Sequence, residues 1–196
     1  MKKSLTIIGG IIIICLIVFS SFKSCYNEMV AEQEKATTAW SNVQSAYQRR
    51  ADLIPNLVET VKGYAKHEEQ TLTEVTEART RATSVTIDPS NMTAEQIQEF
   101  QKNWSDLNSS LGRLIAVAES YPELKANENF RDLQNQLEGS ENRINEARNK
   151  YNAAVTEYNK NIRSFPNNIF AGIFGFKTME KFAAESGAEK APKVQF

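Results

Sequence analysis

Two stripes of apolar side chains constrain the fold of this 196-residue chain more strongly than any other feature. In the first, small or apolar residues recur at alternating steps of three and four positions, at Phe130, Leu133, Leu137, Ser140, Ile144, Ala147, Tyr151, Val155, Tyr158, Ile162 and Phe165. The second has the same spacing at Ile97, Phe100, Trp104, Leu107, Leu111, Leu114, Ala118 and Tyr121. Such spacing puts one apolar face on a helix, as in coiled coils and antiparallel bundles. Because no segment shows the alternation of a half-buried strand, we predict an all-α fold.

The N-terminal 25 residues contain a separate apolar segment. From Leu5 to Phe22 no residue is charged, and about 17–25 apolar residues suffice to cross a bilayer core. No small-x-small cleavage site follows, so we predict a retained transmembrane helix over 1–25 rather than a cleaved signal peptide. The predicted anchor residues are Leu5, Ile11, Ile14, Leu16, Phe19 and Phe22.

Breaks in the periodicity divide the rest of the chain. Thr93 and Gln96 form a capping box after a proline-containing turn, and a proline follows both Tyr121 and Phe165. A reversal at 49–55 would place Pro55 in the first turn of a helix. Four helices of comparable length then result, near 26–50, 54–85, 93–121 and 125–165.

The predicted architecture is therefore a transmembrane helix followed by an antiparallel up-and-down four-helix bundle over 26–165. The alternative is three long helices, the first of them kinked at Pro55. For residues 166–196 we predict an apolar segment, a short helix and a flexible tail.

Residue chemistry argues against an enzyme. His67 is the only histidine, whereas a zinc-protease helix needs two, four residues apart. The nearby carboxylates of Glu68, Glu69, Glu74 and Glu77 lack the facing Glu-x-x-His motifs of a bundle-core metal site. Since no second histidine could activate a nucleophile, we predict no catalytic, cofactor-binding or metal-binding residues, and an exposed helical histidine.

Charge argues against nucleic acid as a partner. Beyond residue 25 the chain has 20 basic and 24 acidic residues, because Lys2, Lys3 and Lys23 precede that point. Binding to phosphates requires concentrated Lys and Arg. The excess of positive charge before the apolar segment also favours a cytoplasmic N-terminus and an exported domain.

Several residue clusters are candidates for binding. Arg49, Arg50, Asp52 and Asn56 crowd the predicted reversal, where they either hydrogen-bond helix-terminal carbonyls or form a recognition spot at the bundle tip. The segment from Phe165 to Phe176 is either a cap over the bundle end or a shallow membrane-surface contact. The contact residues would be Ile169, Phe170, Ile173, Phe174 and Phe176.

Two further features have both a structural and a functional interpretation. Tyr151-Asn152 and Tyr158-Asn159 repeat at a seven-residue interval. We expect the tyrosines in the core with their hydroxyls at its edge and the asparagines setting helix register; a ligand site is the alternative. Gly63 lies within a helical pattern, where we expect it to allow close helix approach or to form a docking groove.

Short motifs extend along most of the chain. The longest is Arg49-Arg50-Ala51-Asp52-Leu53-Ile54-Pro55-Asn56-Leu57-Val58, which continues with the block from Val61 to Glu68. The others are Tyr26 to Val30, Trp40 to Val43, Ala78-Arg79, Tyr121 to Ala126, Ala147 to Asn152, Phe165 to Asn168, and Gly175-Phe176. Together these motifs resemble the LemA family of bacterial membrane-anchored proteins, from the anchor to about Phe182.

The resemblance implies a single-pass protein of the bacterial inner membrane with a helical bundle, and it carries over no catalytic residues. It also suggests a membrane-embedded zinc protease as a partner. We predict a non-enzymatic scaffold or adaptor, without cofactor, that binds membrane lipid and either a membrane protein or copies of itself. A regulator of a membrane zinc protease is the first alternative, and a cryptic enzyme is the second.

Overall fold

A computed structural model describes residues 2–183, and this part of the chain is helical without a strand. Its helices are α1 (Lys2–Tyr64), α2 (Glu69–Ser84), α3 (Ala94–Ala118), α4 (Pro122–Ala126), α5 (Glu128–Arg163) and α6 (Asn167–Phe174). The predicted all-α class is confirmed. The flexible tail predicted at the end of the segment 166–196 lies outside the described residues.

The predicted reversal at 49–55 is wrong. Helix α1 runs through Pro55 without interruption, and the chain reverses instead at residues 65–68. Proline removes one helical hydrogen bond, to the carbonyl four residues earlier, and here Arg79 of α2 donates to that carbonyl, on Ala51. Because a donor from another helix satisfies the freed group, the helix continues past the proline.

The four predicted helices of comparable length are likewise not observed. Helix α1 has 63 residues, α2 has 16, α3 has 25 and α5 has 36. The alternative of a long first helix is closer to the structure, but it does not foresee that α2 is a separate helix.

Helix α1 and helix α5 form the longest packed pair, and α2 packs against both α1 and α3. The core follows the inner face of α1 from Met29 to Val61. Rings from several elements meet at its centre, where Tyr47 lies 4.5 Å from Trp104 and Trp40 lies 5.2 Å from Tyr151, centroid to centroid. Helix α6 rests on α1 and α5 at the end towards the N-terminus.

Local signals set the helix starts after α2. Thr93 and Gln96 form the predicted capping box, in which each side chain bonds the other residue's backbone N–H. Pro122 opens α4. Asn127 caps α5 by accepting a hydrogen bond from the Phe130 N–H over 3.0 Å. The start at Thr93 is confirmed, whereas α4 and the cap at Asn127 are features that the sequence analysis did not predict.

The predicted anchor lies within the first turns of α1. Among the residues that the structure describes, no helix is both long and apolar enough for a membrane crossing. The side chains of Leu5, Ile11 and Ile14 are outside the described part. Leu16 and Phe19 are exposed, and Phe22 is half-buried.

Candidate functional site

The four residues of the predicted recognition spot do not form one cluster. Arg50 is only 8% exposed and forms an ion pair with Glu141 of α5. Arg49, Asp52 and Asn56 are exposed on α1. Since α1 continues past them, they lie neither at a helix junction nor at the tip, and Arg50 instead joins α1 to α5.

An aromatic cluster attaches α6 to α1 near the predicted anchor. Its members are Phe22, Tyr26, Phe170, Phe174 and Phe176. The rings of Phe22 and Phe170 are 4.7 Å apart, those of Tyr26 and Phe174 are 4.8 Å apart, and both pairs meet edge to face. Edge-to-face pairs stabilise by about 0.5–1.5 kcal/mol beyond their burial. The cluster therefore fixes the position of α6 beside the N-terminal part of α1.

Opposite this cluster, α6 and the turn before it expose apolar side chains. Phe165 is 82% exposed, Ile169 is 52% exposed and Ile173 is 66% exposed. We call these three residues the outer stripe. Ile169 and Ile173 are four residues apart and so share one helix face. Of the five predicted membrane-surface residues, these two point outwards, whereas Phe170, Phe174 and Phe176 pack towards α1.

Residues 177–183, here called the strap, have no helical structure and follow α5 in the antiparallel direction. Asn159 donates from Nδ2 to the Met179 carbonyl over 2.8 Å and accepts from the Met179 N–H over 2.9 Å. Asn152 makes the same two bonds with Phe182, over 3.1 and 2.9 Å. The asparagines therefore bind peptide groups of the strap; the prediction that they set helix register is wrong.

Two tyrosines also bind the strap, and we call Tyr151, Asn152, Tyr158 and Asn159 together the clamp. The hydroxyl of Tyr158 donates to the Lys177 carbonyl and that of Tyr151 donates to the Glu180 carbonyl, each over 2.8 Å. Both tyrosine residues are fully buried, as predicted, with their hydroxyls at the edge of the core. Burial raises the pKa of each hydroxyl, and the charge of Glu180 further raises the pKa of Tyr151. Both therefore stay protonated donors at neutral pH.

The strap inserts two side chains into the core. Met179 is 4% exposed and Phe182 is 5% exposed. The Phe182 ring stacks on Trp40 with centroids 5.6 Å apart, and the Arg148 guanidinium lies 4.9 Å from its centroid. Sequence analysis missed the strap. A usable signal was the repeat of Asn152 and Asn159 together with two apolar residues spaced three apart.

Beyond the strap, a groove of about 820 Å³ opens between α3 and α5. Its lining includes Tyr47, Trp104, Asn108 and, at one end, Ala183. The Ala183 carbonyl accepts from Gln101 of α3 over 3.2 Å and from Arg148 of α5 over 3.3 Å. The buried atoms Trp104 Nε1 and Asn108 Oδ1 have no hydrogen-bond partner among the described residues.

The residues considered for chemistry lie apart. His67 is exposed, in the turn between α1 and α2 rather than in the predicted helix. Glu68 accepts a hydrogen bond from the Tyr121 hydroxyl over 3.0 Å, and Glu74 pairs with Arg113 over 3.0 Å. Within residues 2–183, no three His, Cys, Asp or Glu residues are arranged to hold a metal ion.

The expectation of close packing at Gly63 is wrong. A β-carbon built there would have nothing within 4 Å. The glycine is exposed, one residue before the end of α1. It therefore neither admits a neighbouring helix nor forms the floor of a docking groove.

Comparison with known proteins identifies one family and one curated relative. The model of the LemA family matches residues 39–196. Protein LemA of Metamycoplasma hominis is 26% identical over 115 residues, which cover 59% of this chain and 49% of that protein. The match thus spans about half the length of this curated relative.

Proposed function

This chain belongs to the LemA family, and from that premise we propose that it is a non-enzymatic, membrane-anchored scaffold or adaptor. It would bind membrane proteins and copies of itself through the exposed faces of its helical core. The observation that carries the proposal is that the apolar N-terminal end of α1 and the outer stripe of α6 lie at the same end of the molecule, joined by the aromatic cluster.

The proposed anchor rests on the sequence from Leu5 to Phe22, which is uncharged and rich in isoleucine. Most of its described side chains are exposed, including Leu16 at 62% and Phe19 at 67%. A contiguous exposed apolar surface is unfavourable in water and marks a membrane or protein contact. Bilayer hydrocarbon would cover it, and the lysines at positions 2 and 3 favour a cytoplasmic N-terminus at the bacterial inner membrane.

A second, shallow membrane contact would come from α6. The aromatic cluster places this helix beside Phe22 and Tyr26, close to the point where α1 would leave the bilayer. Helices with one apolar face settle in the interface plane with that face in the lipid. The outer stripe supplies such a face, so lipid headgroups and upper acyl chains are the proposed partners of Phe165, Ile169 and Ile173.

Insertion of α1 is tested by alkaline carbonate extraction of membranes that contain the full chain. We expect the protein to stay with the membranes, and an Ile13→Lys/Leu16→Lys variant to be released, because a lysine at mid-bilayer costs about 2.5–3.5 kcal/mol. Ser41→Lys, at an exposed position further along α1, is the matched control. Release of the unaltered protein would contradict the proposed anchor.

The α6 contact is tested in bilayers by fluorescence. We expect a tryptophan introduced by Ile173→Trp to be quenched by lipids brominated in their acyl chains. Tyr64→Trp, at the far end of α1, should not be quenched. Equal quenching at the two positions would contradict the contact.

Binding of partners is tested by co-purification from solubilised membranes. Recovery of a defined membrane protein, or of differently tagged copies of this chain, would support the scaffold. Reproducible recovery of a membrane metalloprotease would favour the alternative of a protease regulator. Purification of the chain alone and as a monomer would contradict both.

A further inference from the structure

The spacing of the clamp on α5 matches the spacing of peptide groups in the strap. Asn152 and Asn159 are seven residues apart, which is about 10.5 Å along a helix. Met179 and Phe182, which they bind, are three residues apart, or about 10 Å in an extended chain. Seven residues of α5 therefore have about the same length as three residues of extended peptide. Tyr158 and Tyr151 show the same match in spacing with Lys177 and Glu180.

The clamp recognises the strap mainly through its backbone. All six hydrogen bonds from the two Tyr-Asn pairs involve peptide N–H or C=O groups of the strap. Of the strap's side chains, only those of Met179 and Phe182 are buried, whereas Lys177, Thr178 and Lys181 are exposed. A different peptide could satisfy the same contacts if it had an apolar residue and, three positions later, an aromatic residue.

We propose that Tyr151, Asn152, Tyr158 and Asn159, with the rings of Trp40 and Phe100 that contact Phe182, form a binding site for extended peptides, and that the strap is its exchangeable resident ligand. The partner would be an extended segment of another protein with the pattern apolar-x-x-aromatic. This inference rests on the proposed scaffold function and deepens it by naming the class of partner segment.

The groove between α3 and α5 adjoins the end of the described strap. Ala183, the last described residue, lines this groove together with Ile144 and Glu141 of α5. The strap begins two residues after Gly175, which ends α6 with a φ of 77°. The described strap therefore covers one part of α5, and open space along the same helix continues from Ala183.

The test uses a fluorescent synthetic peptide with the sequence of residues 177–183 and the full-length chain in detergent. In a Met179→Ser/Phe182→Ser variant the resident strap loses both buried side chains. We expect saturable binding of the peptide by anisotropy, and at least tenfold weaker binding to the unaltered chain, where the strap competes. Adding Asn152→Leu and Asn159→Leu should weaken binding at least tenfold.

Two controls accompany this titration. Asn149→Leu, at an exposed position of α5 outside the clamp, should leave binding unchanged. A peptide in which Met and Phe are only two residues apart should not bind. Absence of saturable binding to a variant that keeps its helical circular dichroism would overturn the inference, as would equal binding of the respaced peptide.

A second measurement applies if the strap variants do not fold. In the unaltered chain, millimolar peptide should displace the strap and accelerate hydrogen exchange at the amides of Met179 and Phe182 at least threefold. Unchanged exchange would overturn the inference. Since these measurements use the purified chain and a synthetic peptide, their failure would leave the scaffold proposal standing, and a failed co-purification would not affect them.

Discussion

The Nε of Arg79 in α2 donates a hydrogen bond over 2.9 Å to the backbone carbonyl oxygen of Ala51 in α1. In an uninterrupted helix this carbonyl would accept from the N–H of residue 55, but Pro55 has no N–H. Ala51 is fully buried, so water cannot supply the missing donor. The arginine in α2 thus replaces the donor that the proline in α1 lacks, although the two residues are 24 positions apart in the sequence.

Replacing Arg79 should therefore be costly only while Pro55 is present. We expect Arg79→Met to lower the free energy of unfolding by about 1–3 kcal/mol, because a buried carbonyl loses its donor. In a Pro55→Ala background the N–H of residue 55 takes over, and the cost should fall by at least about 1 kcal/mol. A double-mutant cycle by chemical denaturation measures the difference; equal costs in the two backgrounds would refute the coupling.

The ion pair between Arg50 and Glu141 should respond asymmetrically to substitution. The Arg50 side chain is 10% exposed and that of Glu141 is 38% exposed. Glu141→Ala leaves a buried charge without its partner, at a cost of about 2–4 kcal/mol, whereas Arg50→Met leaves a carboxylate that can reach water and should cost less. Glu146→Ala, which breaks the exposed pair with Lys150, is the control, with less than about 0.5 kcal/mol expected. Thermal and urea unfolding measure all three, and the reverse order of the first two would contradict the assignment.

Two glycines should respond to alanine in opposite ways. Gly63 is helical and has space for a β-carbon, so Gly63→Ala should stabilise the protein by about 0.5–1 kcal/mol. Gly175 ends α6 with a φ of 77°, so Gly175→Ala should destabilise it by about 1 kcal/mol. Denaturation midpoints of the two variants provide the comparison. A loss of stability in Gly63→Ala would indicate a close contact at that site.

Alkaline pH should weaken attachment of the strap. Burial, and next the charge of Glu180, raises the pKa of Tyr151 above its ordinary value, so the unfolded chain loses this proton at a lower pH than the folded chain does. The contribution of Tyr151 to stability is then constant below about pH 10 and falls above it, by up to about 1.4 kcal/mol per pH unit. Unfolding measured between pH 9 and 11 should show a shallower decline for Tyr151→Phe than for the unaltered chain. Parallel curves would contradict the role assigned to this hydroxyl.

The sequence predicts the helices where the determining contacts are local. The stripe from Phe130 and the capping residue Thr93 lie within the elements that they define, and α3 and α5 begin and end within about three residues of the predicted positions. The prediction of a reversal at Pro55 is wrong because the group that replaces the missing N–H is distant in sequence. Arg79 donates to the Ala51 carbonyl from 28 residues further along the chain. Periodicity contains no information on a contact of that range.

The same distinction between local and distant contacts applies to the candidate site. For Ile169 and Ile173 the sequence allows either a cap over the bundle end or a membrane-surface contact, and both side chains are exposed. That the neighbouring phenylalanines turn inwards depends on Phe22 and Tyr26, almost 150 residues earlier. The strap has no periodicity of its own, and Asn152 and Asn159, which hold it, lie on another element 20 to 30 residues away.

Helix α1 continues from Lys2 to Tyr64, so the N-terminal end and the core share one helical phase. At about 1.5 Å per residue, the stretch from Phe22 to Tyr64 spans about 63 Å. Rotation or axial displacement at the N-terminal end is transmitted directly to Trp40 and Tyr47, since no loop lies between them to absorb it. The orientation of the N-terminal end about the helix axis therefore determines the direction in which Tyr64, at the other end of α1, faces.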